Sequence, residues 1–144
     1  MAYTVRRIRL AWEMEEAYSL RNLVFVQEQG VSKEIERDDL DDNAIHVIAL
    51  NGPLVIGTGR LVLTSLKFGV IGRMAVKKSS RRKGIGARML SFLENEAIAH
   101  NLQRISLHAQ EHAKAFYLLQ GYREDGDIFI EAGIEHRQMY KNLK

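Results

Sequence analysis

Cysteine is absent from this chain of 144 residues. Without a thiol it can form no disulfide, no zinc–thiolate site and no acyl-cysteine intermediate. No segment approaches the roughly 18 to 20 consecutive apolar residues of a membrane span. Residues 1–10 alternate charge with apolar side chains and carry no signal-peptide core. The expectation is a cytoplasmic protein with no membrane partner. Serine hydrolysis has no support, because the sequence contains no GxSxG elbow. Net charge is only +3, and no basic strand studded with aromatics or paired-helix reader is present, so nucleic acid is not an expected partner either. Repeats, low-complexity tracts and linkers are likewise missing.

What is present suffices for one core. Hydrophobic residues make up 46% of the chain, and a chain of this size buries roughly two-thirds of its unfolded surface, so a single domain over 1–144 is expected. Residues 3–9 read as a strand and 12–27 as a helix, with Ala17, Leu20, Val24 and Phe25 at helical spacing. An acidic loop over 37–43 follows. Residues 45–50 and 54–63 read as a hairpin across Asn51-Gly52, with the single proline, Pro53, just past the turn. Then come a strand over 70–76, a helix from Gly84, a strand over 105–109, a short helix from Ala113 and closing strands around 128–130 and 137–141. This order predicts an α/β (α+β) fold with a mixed central sheet and helices on both faces.

The segment between the 70–76 strand and the Gly84 helix is the most informative. Residues 77–88 hold six cations (Lys77, Lys78, Arg81, Arg82, Lys83 and Arg88) and no acid. Gly84 and Gly86 lack a Cβ, so the backbone can turn its N–H groups onto an anion at the positive end of the following helix. Ile85, Met89, Phe92, Leu93 and Ala97 form that helix's apolar face. A P-loop would need Lys and then Ser or Thr after the last glycine, where Ala87 and Arg88 stand, and a dinucleotide fold would need a third glycine.

Placed between this strand and this helix, RRKGIGA resembles the acetyl-CoA pyrophosphate loop of the GNAT superfamily of N-acetyltransferases, written (Q/R)xxGx(G/A). Arg81, Gly84 and Gly86 match it position by position. Downstream, the AxxFYxxxGY run from Ala113 to Tyr122 is similar to the superfamily's last helix, whose tyrosine commonly serves as general acid; here it is Tyr117. Arg21, Val24-Phe25-Val26, Glu28-Gln29-Gly30 and the C-terminal EAGIEHRQM resemble the ElaA-like branch of small GNAT proteins.

The resemblance implies a GNAT-like single domain with a mostly antiparallel sheet. It implies direct acetyl transfer from acetyl-CoA, as acyl donor, to a small amine substrate, and leaves a homodimer open. The implied cofactor contacts are the strand residues Met74, Ala75 and Val76 and the loop residues Arg81, Arg82, Lys83, Gly84, Ile85, Gly86 and Ala87. In that geometry the strand through Met74 splays from the strand through Leu107, and the pantetheine arm lies in the gap. Tyr117 would meet the leaving sulfur; its bland alternative is a core aromatic beside Phe116.

A lysine-like amine must lose a proton before it attacks, which at pH 7 costs about 4.6 kcal/mol. Glu28 and His108 are the candidate bases, each weighed against an ordinary solvated carboxylate or packed histidine. No metal is expected. His108 and His112 do match HxxEH, the inverted zincin pattern, but residues 105–108 alternate like a strand. Four residues of extended chain span roughly 13 Å, too far for shared ligation. Residues 39–43 imitate a calcium-loop start, yet Ala44 replaces the glycine and Leu50 the final glutamate, leaving a solvated acidic loop or one that attracts a cationic substrate. A non-catalytic module that binds CoA without consuming its thioester is the alternative to an enzyme.

Overall fold

A computed structural model describes residues 2–143. Met1 and Lys144, the ends of the expected 1–144 domain, lie outside the described residues. Seven strands form one sheet: β1 (Thr4–Arg7), β2 (Ile45–Asn51), β3 (Leu54–Leu63), β4 (Phe68–Val76), β5 (Arg104–Gln110), β6 (Arg123–Glu131) and β7 (Ile134–Asn142), in the order β1-β2-β3-β4-β5-β7-β6. All neighbours are antiparallel except β4 and β5. A parallel pair needs a crossover, which α3 (Ile85–Ala99) supplies. Three further helices are α1 (Ala11–Arg21), α2 (Lys33–Glu36) and α4 (Lys114–Leu119).

Both sheet faces are covered because the strands are apolar on both sides. On β2, Val47 and Ala49 join Met89 and Leu93 of α3 in one core, while Ile48 and Leu50 join Ala17 and Leu20 of α1 in the other. Among the described residues no helix is long and apolar enough to cross a membrane.

Four local readings are corrected. The 45–63 hairpin forms, but Asn51 pairs with Leu54, so the turn is Gly52-Pro53 and not Asn51-Gly52. Gly52 takes φ +59, and the ring of Pro53 fixes a negative φ, a combination that suits a II′ hairpin turn. The helix expected over 12–27 is α-helical only to Arg21 and continues over Asn22–Glu28 as a π-helix. The acidic loop is solvated only in part: Asp39 and Asp42 are exposed in the 3₁₀ turn Asp39–Asn43, but Asp41 is buried beneath two arginines. Finally, β6 begins at Arg123, five residues before the expected strand at 128.

The sheet forks at its centre. Pairing between β4 and β5 runs from Phe68↔Arg104 to Ile71↔Leu107 and then stops, so the residues of β4 from Gly72 to Val76 have no β5 partner. On the other side β4 stays paired with β3 through a bulge between Thr58 and Arg60, and opposite that bulge Arg73 adopts φ +54. Bulges re-aim strands beside functional sites, and a non-glycine residue at this φ is strained.

Candidate active site

The fork opens onto a cavity of about 550 Å³. Met74 lines it from β4, Leu107, His108 and Gln110 from β5, Tyr117 from α4, and Glu131 and His136 from the β6–β7 hairpin. The π-helical turn supplies Phe25, and Gln29 and Val31 follow from the same stretch. Gln29 Oε1 accepts a 2.7 Å hydrogen bond from Gln110 Nε2, which ties this stretch to the end of β5.

Tyr117 is half-buried, its ring 5.0 Å from that of Phe116 and 5.8 Å from that of Tyr122, both edge-on. Burial pushes its phenol up to about 12, because the charged phenolate would lose hydration there. The group is therefore a donor that keeps its proton.

His108 stands on the exposed face of β5, and its Nδ1 lies 3.2 Å from each carboxylate oxygen of Glu131. The Phe129 ring meets it edge-on at 5.0 Å. His136, buried on β7, directs its Nδ1 to the Ile134 carbonyl at 2.7 Å, and its Nε2 is 3.8 Å from Glu131. The two halves of the HxxEH run fall on different elements, His108 in β5 and His112 in the 3₁₀ turn Glu111–Ala113, so they do not share a helix face.

Glu28, the other candidate base, is placed elsewhere. Its carboxylate takes two hydrogen bonds from Arg81, at 2.8 and 2.9 Å, and does not line the cavity. That bidentate contact holds its carboxyl below the usual range. Arg81 also donates from Nε to the Val76 carbonyl at 2.9 Å. The cation that the sequence assigns to the cofactor thus braces the end of β4 against the π-helix.

The loop that follows is shaped by its backbone. Arg82 and Gly84 take φ +64 and +80, and Gly84 is the N-cap of α3. The first amide bonded inside the helix is that of Arg88, to Gly84 O at 3.1 Å. The N–H groups of Ile85, Gly86 and Ala87 are therefore free of helical partners and gathered at the positive end of a 15-residue helix, an arrangement that can hold a phosphate. A Cβ on Gly86 would stand 3.7 Å from Phe116, ordinary contact, and one on Gly84 would meet nothing within 4 Å. Arg88 does not join the amides at the helix tip: its guanidinium lies 4.9 Å from the Tyr3 ring centre.

The far wall of the cavity rests on a buried ionic network that the sequence did not reveal. Arg21, 1% exposed, bonds Glu36 through Nε at 2.6 Å and Asp41 through Nη1 at 2.8 Å. Arg60 bridges Asp41 and Asp38 at 2.8 and 2.7 Å, and Arg73 reaches Asp38 and the Glu36 carbonyl at 3.2 and 2.9 Å. Three guanidiniums face three carboxylates, so the network is close to neutral. It fixes the loop carrying Ile35 and Leu40, which line the cavity. Arg21 could be singled out in the sequence; its partners, 15 and 20 residues away, could not.

Comparison with known proteins agrees with this geometry. The acetyltransferase (GNAT) domain family matches residues 15–143. The Bacillus subtilis N-acetyltransferase YjcF, itself uncharacterised, is 34% identical over 131 residues, covering 90% of this chain and 93% of that protein. Escherichia coli ElaA is 27% identical, with 86% and 84% covered. Its crystal structure superposes with a TM-score of 0.84 over 98% of this chain and 99% of that one, at 23% identity. An aminoglycoside 6'-N-acetyltransferase complexed with coenzyme A shares the fold at a TM-score of 0.81 and 18% identity, with 100% and 98% covered. With the family matched over nearly its whole length, this chain belongs to the GNAT superfamily and is an acyltransferase.

Proposed function

We propose that this acyltransferase carries an acetyl group from acetyl-CoA to a primary amine by direct attack. One observation carries the reading: the β4–β5 pairing ends at Ile71↔Leu107, and Tyr117 and His108 open onto the cavity formed there. An acetyl thioester is already activated, so holding both reactants in register is most of the catalytic task. The coenzyme A complex of the aminoglycoside enzyme is a precedent for this donor on the same fold.

In this reading the free amides of Ile85, Gly86 and Ala87 hold the pyrophosphate, with Arg82, Lys83 and Gly84 shaping the loop. Exposed backbone groups of Met74, Ala75 and Val76 bind the pantetheine arm, and a β4 N–H polarises the thioester carbonyl. Arg81 supports that strand through the Val76 carbonyl. His108 removes the amine's proton. Glu28 is the weaker candidate, since Arg81 occupies both of its oxygens and lowers its basicity.

The amine nitrogen forms a bond to the carbonyl carbon, the C–S bond breaks with the electron pair leaving on sulfur, and the nitrogen gives its second proton to solvent as the amide forms. With Tyr117 near 12 and a cysteine-like thiol near 8.5, full proton transfer to sulfur is uphill by about 5 kcal/mol. Tyr117 therefore stabilises the thiolate as a hydrogen-bond donor, and solvent supplies the final proton.

The test is acetyl-CoA consumption over a panel of polyamines, amino sugars, aminoglycosides, amino acids and peptide N-termini, with acyl length varied for any hit. At least one primary amine should accelerate thioester loss, and His108→Ala should suppress it. Binding of acetyl-CoA with no acceleration by any amine would overturn the reading.

A further inference from the structure

We propose that Glu131 is a positioning residue that sets the tautomer of His108, an inference that rests on the assignment of His108 as the base. Three carboxylates line the cavity. Glu36 and Asp38 are held by Arg21, Arg60 and Arg73. Among the described residues, the ionic partners of Glu131 are only the two histidines.

The chemistry of those partners is unequal. His136 commits its Nδ1 proton to the Ile134 carbonyl. In the neutral ring its Nε2 is then an acceptor and offers the carboxylate nothing. His108 is left as the donor: an ionised carboxylate only accepts, so Nδ1 at 3.2 Å from both oxygens carries the proton. Nε2, on the other edge of the ring, keeps the lone pair that an ammonium proton needs. A charge-assisted hydrogen bond outweighs a neutral one and can hold the ring in this form.

The backbone is built around this contact. Glu131 pairs with Ile134 across a two-residue turn, Ala132-Gly133. Both turn residues have positive φ, +51 and +75. Alanine is strained there, and strain of this kind gathers at functional sites. The turn brings Glu131 back over β7 to the end of β5, where Gln110 pairs with His136.

Two measurements test this. Long-range ¹H–¹⁵N spectra of histidine-labelled protein report which ring nitrogen bears hydrogen, with the His108 signals assigned through His108→Asn. The wild type should show the Nδ1–H form for His108, and Glu131→Gln should shift it toward Nε2–H. With the best amine, Glu131→Gln should lower kcat by about 10-fold or more while leaving the KM for acetyl-CoA unchanged, and Glu131→Asp should recover part of the loss. An Nε2–H wild-type ring, or an unchanged tautomer and rate in Glu131→Gln while His108→Ala is inactive, overturns this inference and leaves His108 as the base. Full turnover in His108→Ala overturns both.

Discussion

In the proposed mechanism the departure of the sulfur depends on a single hydroxyl, that of Tyr117. Phenylalanine in its place keeps the ring contacts with Phe116 and Tyr122 and deletes only the donor. Folding and CoA affinity should be retained, and kcat should fall by at most about 10²-fold, the lower end of general-acid contributions. Because burial holds the phenol near 12, the wild-type profile should show no downturn from this group below about pH 10. A basic limb present in the wild type and missing from Tyr117→Phe would establish a phenol that titrates and transfers its proton. Tyr117 and His108 were legible as separate side chains because each belongs to a local pattern. Glu131 and His136 lie in the EAGIEHRQM run, but no role for either could be read there. They reach His108 only through the register of β5 with β7 and of β7 with β6, which no single segment encodes.

The proposed mechanism gives cofactor binding to the loop before α3, whose two glycines act differently. Gly84 is needed for its backbone: at φ +80 an alanine is strained by about 1 to 2 kcal/mol. Gly86 lies within the helix and is free of that constraint. Gly86→Val should therefore fold, while its side chain crowds the free amides and weakens CoA binding in calorimetry by more than Arg88→Ala does. Arg88 rests on Tyr3, which makes it the appropriate control. Equal CoA affinity for wild type and Gly86→Val would remove the phosphate role from this loop. Glycine spacing and the helical apolar face made this element readable from sequence. The π-helix over Asn22–Glu28 was not, because its apolar residues recur much as in an α-helix. What distinguishes it is the hydrogen-bond step, with the Gln29 N–H donating to the Val24 carbonyl five residues back at 3.1 Å, and its packing, with Phe25 in the cavity and Glu28 on Arg81.

Across the whole molecule, the ionic network fastens the loop above the cavity to the sheet, and it makes stability depend on pH. Burial alone would raise the Asp41 carboxyl, but Arg21 and then Arg60 overcome it and hold it at about 2. A depressed carboxyl contributes fully above its unfolded value near 3.9 and loses that contribution as pH falls toward the folded value, a loss on the order of 2 kcal/mol. His46 acts earlier. Burial lowers its affinity for a proton, and its ring nitrogen Nε2 bonds the Asp41 carbonyl at 2.9 Å. A histidine kept neutral on folding contributes fully above about pH 6.5 and loses that contribution below it. Urea unfolding between pH 8 and pH 3 should give a plateau above about 7, a shallow decline below about 6.5 and a steeper one below about 4. His46→Gln should remove the shallow decline and keep the steep one. Asp41→Asn should cost about 3 kcal/mol near neutral pH, since two guanidiniums lose their shared carboxylate, and should flatten the acid limb. Persistence of the shallow decline in His46→Gln would assign it to another group, and an acid limb unchanged in Asp41→Asn would show that the network does not govern acid unfolding.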